Sequence, residues 1–300
     1  MYVVIGATGN TGNIVARNLI AKGQEVRVIG RSPERLRTLA AQGAEPFACD
    51  ITDAGALTKA FTNARAVYAM MPPDLTSPDF RAHQDRATGA IAAALERAGV
   101  KHAVSLSSIG ADKTEKTGPV VGLHYLEQQL NRIAGLNVLH LRAGYFMENT
   151  LPQIGIIQSM GITAGPLRPD LKVPMIATRD IGAIAAEALL KLNFTSHETR
   201  ELLGQRDLTM TEVTAVIGKA IKRPTLAYNH PPDEQLRPAL TQMGMSLNVA
   251  NLLLEMAASL NSGYMVALEK RSAQNTTPTS FETFVAEEFV PRFQGKSATA

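Results

Sequence analysis

The chain starts with an unbroken apolar run, Tyr2–Ile5, and meets glycine immediately after it. Short apolar runs recur over the first 150 residues at Glu25–Ile29, Ala44–Ala48, Ala66–Met70, His102–Ser107 and Asn137–Leu141. They are rich in Val, Leu and Ala with little polar alternation, the pattern of strands covered on both faces. Between them apolar positions return every three or four residues. That spacing predicts helices over Gly12–Lys22, Pro33–Gln42, Asp53–Asn63, Asp79–Ala98 and about Leu123–Ala134. Several of these end in glycine, as in "AKGQ", "AQGA", "RAGV" and "IAGL"; glycine closes a helix in the left-handed conformation without a Cβ penalty. Ser32 followed by Pro33 is a good N-cap before a good first helical residue. Repeated strand–helix units imply right-handed crossovers and an α/β, doubly wound parallel sheet.

After Leu151 the rhythm changes. "PQIGIIQSMGITAGPLRPDLKVPMI" is punctuated by Gly and Pro and reads as loops with short strands. A helix at Asp180–Leu192 and a strand-like "RELLG" follow. Thr209–Ile221 opens on a capping box, Thr209 with Glu212, and Thr279 with Glu282 repeats that pattern before the last helix. Leu247–Leu260 carries a broad Leu/Met/Ala face, and the final "GKSATA" is expected to fray. The expected organisation is a nucleotide-binding domain over 1–150 and a smaller C-terminal α/β annex over 151–300, partly interleaved with it and closing over the sheet edge.

The opening "GATGNTG" places Gly6, Gly9 and Gly12 between a strand and an amphipathic helix. In a doubly wound sheet the ligand lies beyond the carboxyl ends of the strands. The helix N-terminus there offers unpaired N–H groups to an anion. Glycines let a pyrophosphate approach the backbone, and Thr8, Asn10 and Thr11 add short polar groups; a purely structural turn is the competing reading. The spacing G-x-x-G-x-x-G differs from the commoner G-x-G-x-x-G. The end of the second strand reports which dinucleotide. An acid there would accept from the ribose 2′-hydroxyl of NAD(H). "VIGRSPERL" instead supplies Arg31, Ser32 and Arg35, and a guanidinium suits a 2′-phosphate. The expected cofactor is NADP(H) in preference to NAD(H), with surface arginines as the alternative. Asp50, in "ACDITD", could accept from the adenine amino group; helix capping by Asp50 or Thr52 is equally open.

Composition excludes more than it selects. Hydrophobic residues make up 45% of the 300, as in a globular core. The one cysteine, Cys49, allows no internal disulfide. The apolar start has no basic leader and no run approaches a membrane span, so the expectation is a cytoplasmic protein without membrane attachment. The net charge of +3 comes from scattered Lys and Arg, with no basic block or aromatic–basic alternation for nucleic acid.

"GATGNTG", "GRSPERL", "CDITD", "VSLSSIGAD", "LRAGYFMENT" and "NTTPTSFETFV" together resemble the NmrA-like branch of the atypical short-chain dehydrogenases/reductases, over nearly the whole chain. The resemblance implies a Rossmann-type domain with a small α/β annex and NAD(P) bound across the sheet edge. Members are reductases of quinones and related electrophiles, or sensors of NADP(H) without turnover. A homodimer or a regulatory protein partner is compatible with either. Classical members of the wider superfamily use Tyr-x-x-x-Lys. Here Tyr125 is followed four residues on by Gln129, and aligning Glu127 and Leu130 with the E-x-x-L of extended members puts Pro119 and Leu123 at the dyad positions. Either way the pair is lost, which argues against a sugar epimerase or alcohol dehydrogenase. A quinone needs no such pair, because hydride transfer leaves a stabilised phenolate. Met70, Met71 and Pro72 at the end of the fourth strand, and Ser107 at the end of the fifth, are expected beside the cofactor. Ser108, His124, Tyr145, Phe146 and Asn149 are the candidate substrate pocket, with His124 and Tyr145 as candidate catalytic groups; a surface His and ordinary core packing are the respective alternatives.

Overall fold

Every short apolar run of the first half becomes a strand. In a computed structural model that describes residues 1–295, these are β1 (Tyr2–Ile5), β2 (Val26–Gly30), β3 (Glu45–Ala48), β4 (Ala66–Ala69), β5 (His102–Ser108) and β6 (Asn137–Ala143). They alternate with α1 (Asn10–Ala21), α2 (Pro33–Ala40), α3 (Ala54–Phe61), α4 (Phe80–Arg97) and α5 (Val120–Asn131). The chain continues through β7 (Tyr145–Phe146), a 3-10 turn at Met147–Thr150, α6 (Gln153–Met160), β8 (Thr163–Ala164), β9 (Val173–Ile176), α7 (Thr178–Lys191) and β10 (His197–Leu202). It closes with β11 (Arg206–Leu208), α8 (Met210–Ala220), β12 (Tyr228–Asn229), α9 (Asp233–Gln242), α10 (Leu247–Asn261), α11 (Phe281–Phe284), a π turn at Val285–Phe289 and α12 (Val290–Phe293). Of the stretch expected to fray, all but Gly295 lies outside the described residues.

Seven parallel strands form the main sheet in the order β10-β6-β5-β4-β1-β2-β3. The order reverses at β1, which opens a crevice at its carboxyl end. Val4 of β1 packs into one core with Leu19, Val28, Leu36 and Ile181. Val3 and Ile5 face the other, with Leu57, Phe61, Ile91 and Leu95. Side chains alternate across a strand, so two apolar layers require the unalternating sequence seen in β1.

The chain does not leave this domain for good after β6. It crosses into the annex through β7–β9, and then α7 packs along α1 and β10 pairs with β6 at the sheet edge. Gly182 allows the helix contact, since a Cβ there would lie 2.6 Å from Ile14 Cβ. The strand-like "RELLG" thus contributes to the first sheet. The annex carries sheets β11-β9-β7 and β12-β8 around a core that includes Met147, Ile157, Val173, Ile217, Phe281 and Phe289.

Two local expectations are corrected. The Gly/Pro-punctuated segment contains the helix α6: Pro152 caps it, Gly161, at φ 71°, closes it, and the one breaker inside it, Gly155, is tolerated. The capping box at Thr209 and Glu212 forms, but the one expected at Thr279 and Glu282 does not. Ser280 caps α11 instead. Thr279 is buried and donates from its N–H (3.0 Å) and hydroxyl (2.7 Å) to Asp180, while Glu282 is drawn to Arg206.

Candidate active site

One cavity of about 1440 Å³ begins at the carboxyl ends of β1, β2 and β4 and runs on between the sheet and the annex. That exceeds the roughly 300–1,000 Å³ of a pocket for one small ligand. There is room for a dinucleotide and a second molecule.

Gly6, Thr8, Gly9, Asn10 and Thr11 line its sheet end. Gly9 caps α1 without a side-chain bond and the first turn has no acid; the leading N–H groups of a helix have no partner within it. These residues fit a diphosphate. The three glycines do different work, which corrects the expectation that all three make way for phosphate. Gly9 is exposed on the cavity wall. Gly6 has φ +67°, and a Cβ there would overlap the Met70 sulfur. Gly12 is buried away from the cavity, and a Cβ on it would overlap the Gly6 carbonyl oxygen and lie 2.7 Å from the carbonyl carbon. It is there for helix-to-strand contact. The Thr11 hydroxyl is likewise occupied, accepting from the buried Tyr68 hydroxyl at 3.0 Å.

Arg31, Ser32, Arg35 and Asp50 also line this end. The Ser32 hydroxyl accepts from Arg35 N–H as the cap of α2. Arg35 reaches back to donate to the Thr8 carbonyl at 3.3 Å, and Arg31 and Arg35 are both exposed in the crevice. Asp50 Oδ1 accepts from the Thr52 N–H (2.8 Å) and hydroxyl (2.7 Å), which hold its carboxyl below the usual range. Neither Asp50 nor Thr52 caps α3; Asp53 does. The second carboxylate oxygen of Asp50 is therefore available to a ligand. Two residues the sequence reading passed over stand beside it, Asp74 and His83. Both carboxylates lie within electrostatic reach of His83 and Arg31. The available signal was position: His83 lies in the first turn of α4, and first turns after strands face the crevice. Cys49 lines the wall as well, its thiol pushed up to about 11 by burial and by Asp53 and Asp50.

Four further expected residues are not brought to the cavity wall. Met70 and Pro72 line it, but Met71 packs against the core below α4. Ser107 falls on the α5 side of β5 by strand alternation, and its hydroxyl donates to Glu127 at 2.5 Å. Glu127 is buried and also receives Arg142 at 2.9 and 2.6 Å. Ser108 donates to the Ile109 carbonyl. His124 is not among the lining residues, and its Nδ1 is taken by the Ala111 carbonyl at 2.8 Å. Leu106, alternating with Ser107, lines the wall instead. Tyr125 lies beneath Arg81, 5.3 Å from ring centre to guanidinium.

Tyr145, Phe146 and Asn149 do line the annex end. Burial alone pushes the Tyr145 phenol up to about 12. Glu148 lines the same wall; burial raises its carboxyl, against hydrogen bonds from the Thr178 N–H (3.0 Å) and hydroxyl (2.5 Å). The opposite wall comes from α8, β12, α9 and α10, with Ile217, Tyr228, Leu236, Leu240 and Met256 among its residues. No motif marks these residues in the sequence, because they converge from elements distant along the chain.

The NmrA-like family profile matches residues 2–289. An NAD(P)H azoreductase of Xenophilus azovorans is 30% identical over 272 residues, 89% of this chain and 90% of that one. Quinone oxidoreductase 2 of Escherichia coli K12 is 26% identical over 270 residues, 88% of this chain and 89% of that one. The Citrobacter sp. triphenylmethane reductase, solved with NADP(H), superposes with a TM-score of 0.79 at 18% identity, over 95% of this chain and 100% of that one. That last likeness speaks for the fold alone. With the family profile matched along nearly its whole length, over a parallel sheet whose first turn fits a dinucleotide, this chain belongs to the NmrA-like family.

Proposed function

We propose that this chain is an NADPH-dependent reductase that delivers hydride to a quinone-like or otherwise conjugated small molecule without a Tyr–Lys dyad. It is an NAD(P)H-dependent oxidoreductase, in keeping with relatives named as reductases. The observation that carries the reading is the single cavity that joins the glycine turn and Arg31 to the aromatic wall at Tyr145 and Phe146. Gly9 and the first turn of α1 would hold the diphosphate, Asp50 the adenine amino group, and Arg31 with Arg35 the 2′-phosphate.

When bound, NADPH supplies a hydride (two electrons and one proton) and leaves as NADP⁺. One further proton then completes the reduced, dihydroxy product of a quinone. The chain's part is to exclude water, position the acceptor and supply a hydrogen bond to the oxygen that gains charge. Tyr145 suits that last role. Its raised value keeps the phenol protonated across the physiological range, so it donates rather than acts as a base. His124 is left without a role, its Nδ1 being engaged away from the cavity.

The test is loss of the reduced-nicotinamide absorbance with a panel of quinones, azo compounds and enones. Oxidation by at least one class is expected. Tyr145→Phe should lower kcat by about tenfold or more, toward the roughly 10²–10⁴ of a positioned proton donor, with little change in NADPH affinity. NADPH binding without oxidation by any acceptor overturns the reductase reading and points to a nucleotide sensor instead.

A further inference from the structure

The cations that line the cavity are not spread along it. Arg31, Arg35 and His83 all stand at the nucleotide end. Among the described residues, no Lys, Arg or His lines the annex end. The one ionisable carboxyl there is Glu148, and its oxygens are occupied by Thr178. Several other polar groups of that end are paired with the protein. Gln153 exchanges two bonds with Ala164 at 2.8 and 2.9 Å. Thr163 meets Thr214 at 2.6 Å, and the Tyr228 hydroxyl donates to the Leu167 carbonyl at 2.8 Å. Beside the uncharged amides of Asn149, Gln235 and Gln242, what faces the ligand is apolar and soft, including Met160, Met243, Met245 and Met256. Methionine side chains adapt to irregular outlines.

An anionic acceptor entering this end would lose water, find no cation and meet a carboxyl. Burying a charge without a partner is costly, whereas an uncharged ring system loses little. We infer that the substrate end takes uncharged, largely apolar conjugated acceptors and discriminates against their anionic counterparts. This rests on the reductase reading and names the class of acceptor it serves.

The experiment compares 1,4-naphthoquinone with its 2-sulfonate. The sulfonate withdraws electrons and makes the ring the more reactive hydride acceptor, so a lower rate must come from the site. The expected kcat/KM for the neutral quinone is at least about tenfold higher. Met160 is 67% exposed at the cavity mouth, and Met160→Lys should shift the ratio of the two values toward the sulfonate by about threefold or more. Equal values, a preference for the sulfonate, or a ratio unmoved by Met160→Lys overturns the inference. Calorimetry of the two quinones on NADP⁺-loaded protein separates this from failure of the reductase reading. Selective binding of the neutral quinone without turnover overturns only the reductase reading; equal binding overturns the charge inference.

Discussion

Gly12→Ala is the sharpest test of how the nucleotide turn is built. The added Cβ would overlap the Gly6 carbonyl oxygen, lie 2.7 Å from its carbon and 3.0 Å from the Ile5 oxygen. Non-bonded carbons rest about 3.5–4.0 Å apart, so α1 must retreat from β1 by about 1 Å. Its other flank is filled by α7, where a Cβ added at Gly182 would lie 2.6 Å from Ile14 Cβ. Overpacking a filled core costs about 1–3 kcal/mol, and a rigid backbone target argues for the upper end. Alanine returns up to about 1 kcal/mol of helix propensity. The net loss is about 2 kcal/mol, or about 3 °C in Tm for a chain of this size. Thermal unfolding without nucleotide measures it directly. Gly9→Ala is the control: its Cβ meets only the Gly6 oxygen, at 3.3 Å, and faces the cavity. It should spare most of the Tm and weaken NADPH. A Gly12→Ala protein with unchanged Tm, or one whose only defect is nucleotide affinity, would refute the division of roles among the three glycines.

Other expectations are as specific. Arg31→Glu should weaken NADPH about ten- to hundredfold, the worth of a charge-assisted bond of roughly 1.5–3 kcal/mol, and change NADH little; equal weakening in calorimetry removes Arg31 from the 2′-phosphate. Burial holds His140 down at about 4, against 6.5 unfolded, with its nitrogens engaged by Ser105 (2.6 Å) and Asn131 (2.9 Å). The folded value is the lower one, so this stability is complete above pH 6.5 and is lost as pH falls toward 4, by about 3 kcal/mol; denaturant titrations should show His140→Gln flattening that slope. Glu127→Gln leaves Arg142 buried without its counter-charge and should cost about 3–5 kcal/mol in chemical denaturation, whereas Glu127→Leu with Arg142→Met should recover most of the loss. An undiminished single variant would show that the pair carries no such weight.

Much of the nucleotide half was legible from the chain alone. Two-sided burial leaves runs without alternation, and a strand–turn–helix forces glycine where backbone meets backbone. Each of these is a local demand, written in consecutive residues. The annex end was not legible for the opposite reason. Tyr145 and Met256 face one cavity only because β7, α6, α9 and α10 converge on it, and none of them signals that destination. Hydroxyls and imidazoles were misplaced on the same ground: Ser107 and His124 are the right residue types near the right strand ends, yet a buried carboxylate and a loop carbonyl claim them first. Which polar atom is already spent, and which wall lacks a cation, depends on contacts between distant segments, and those exist only once the chain has folded.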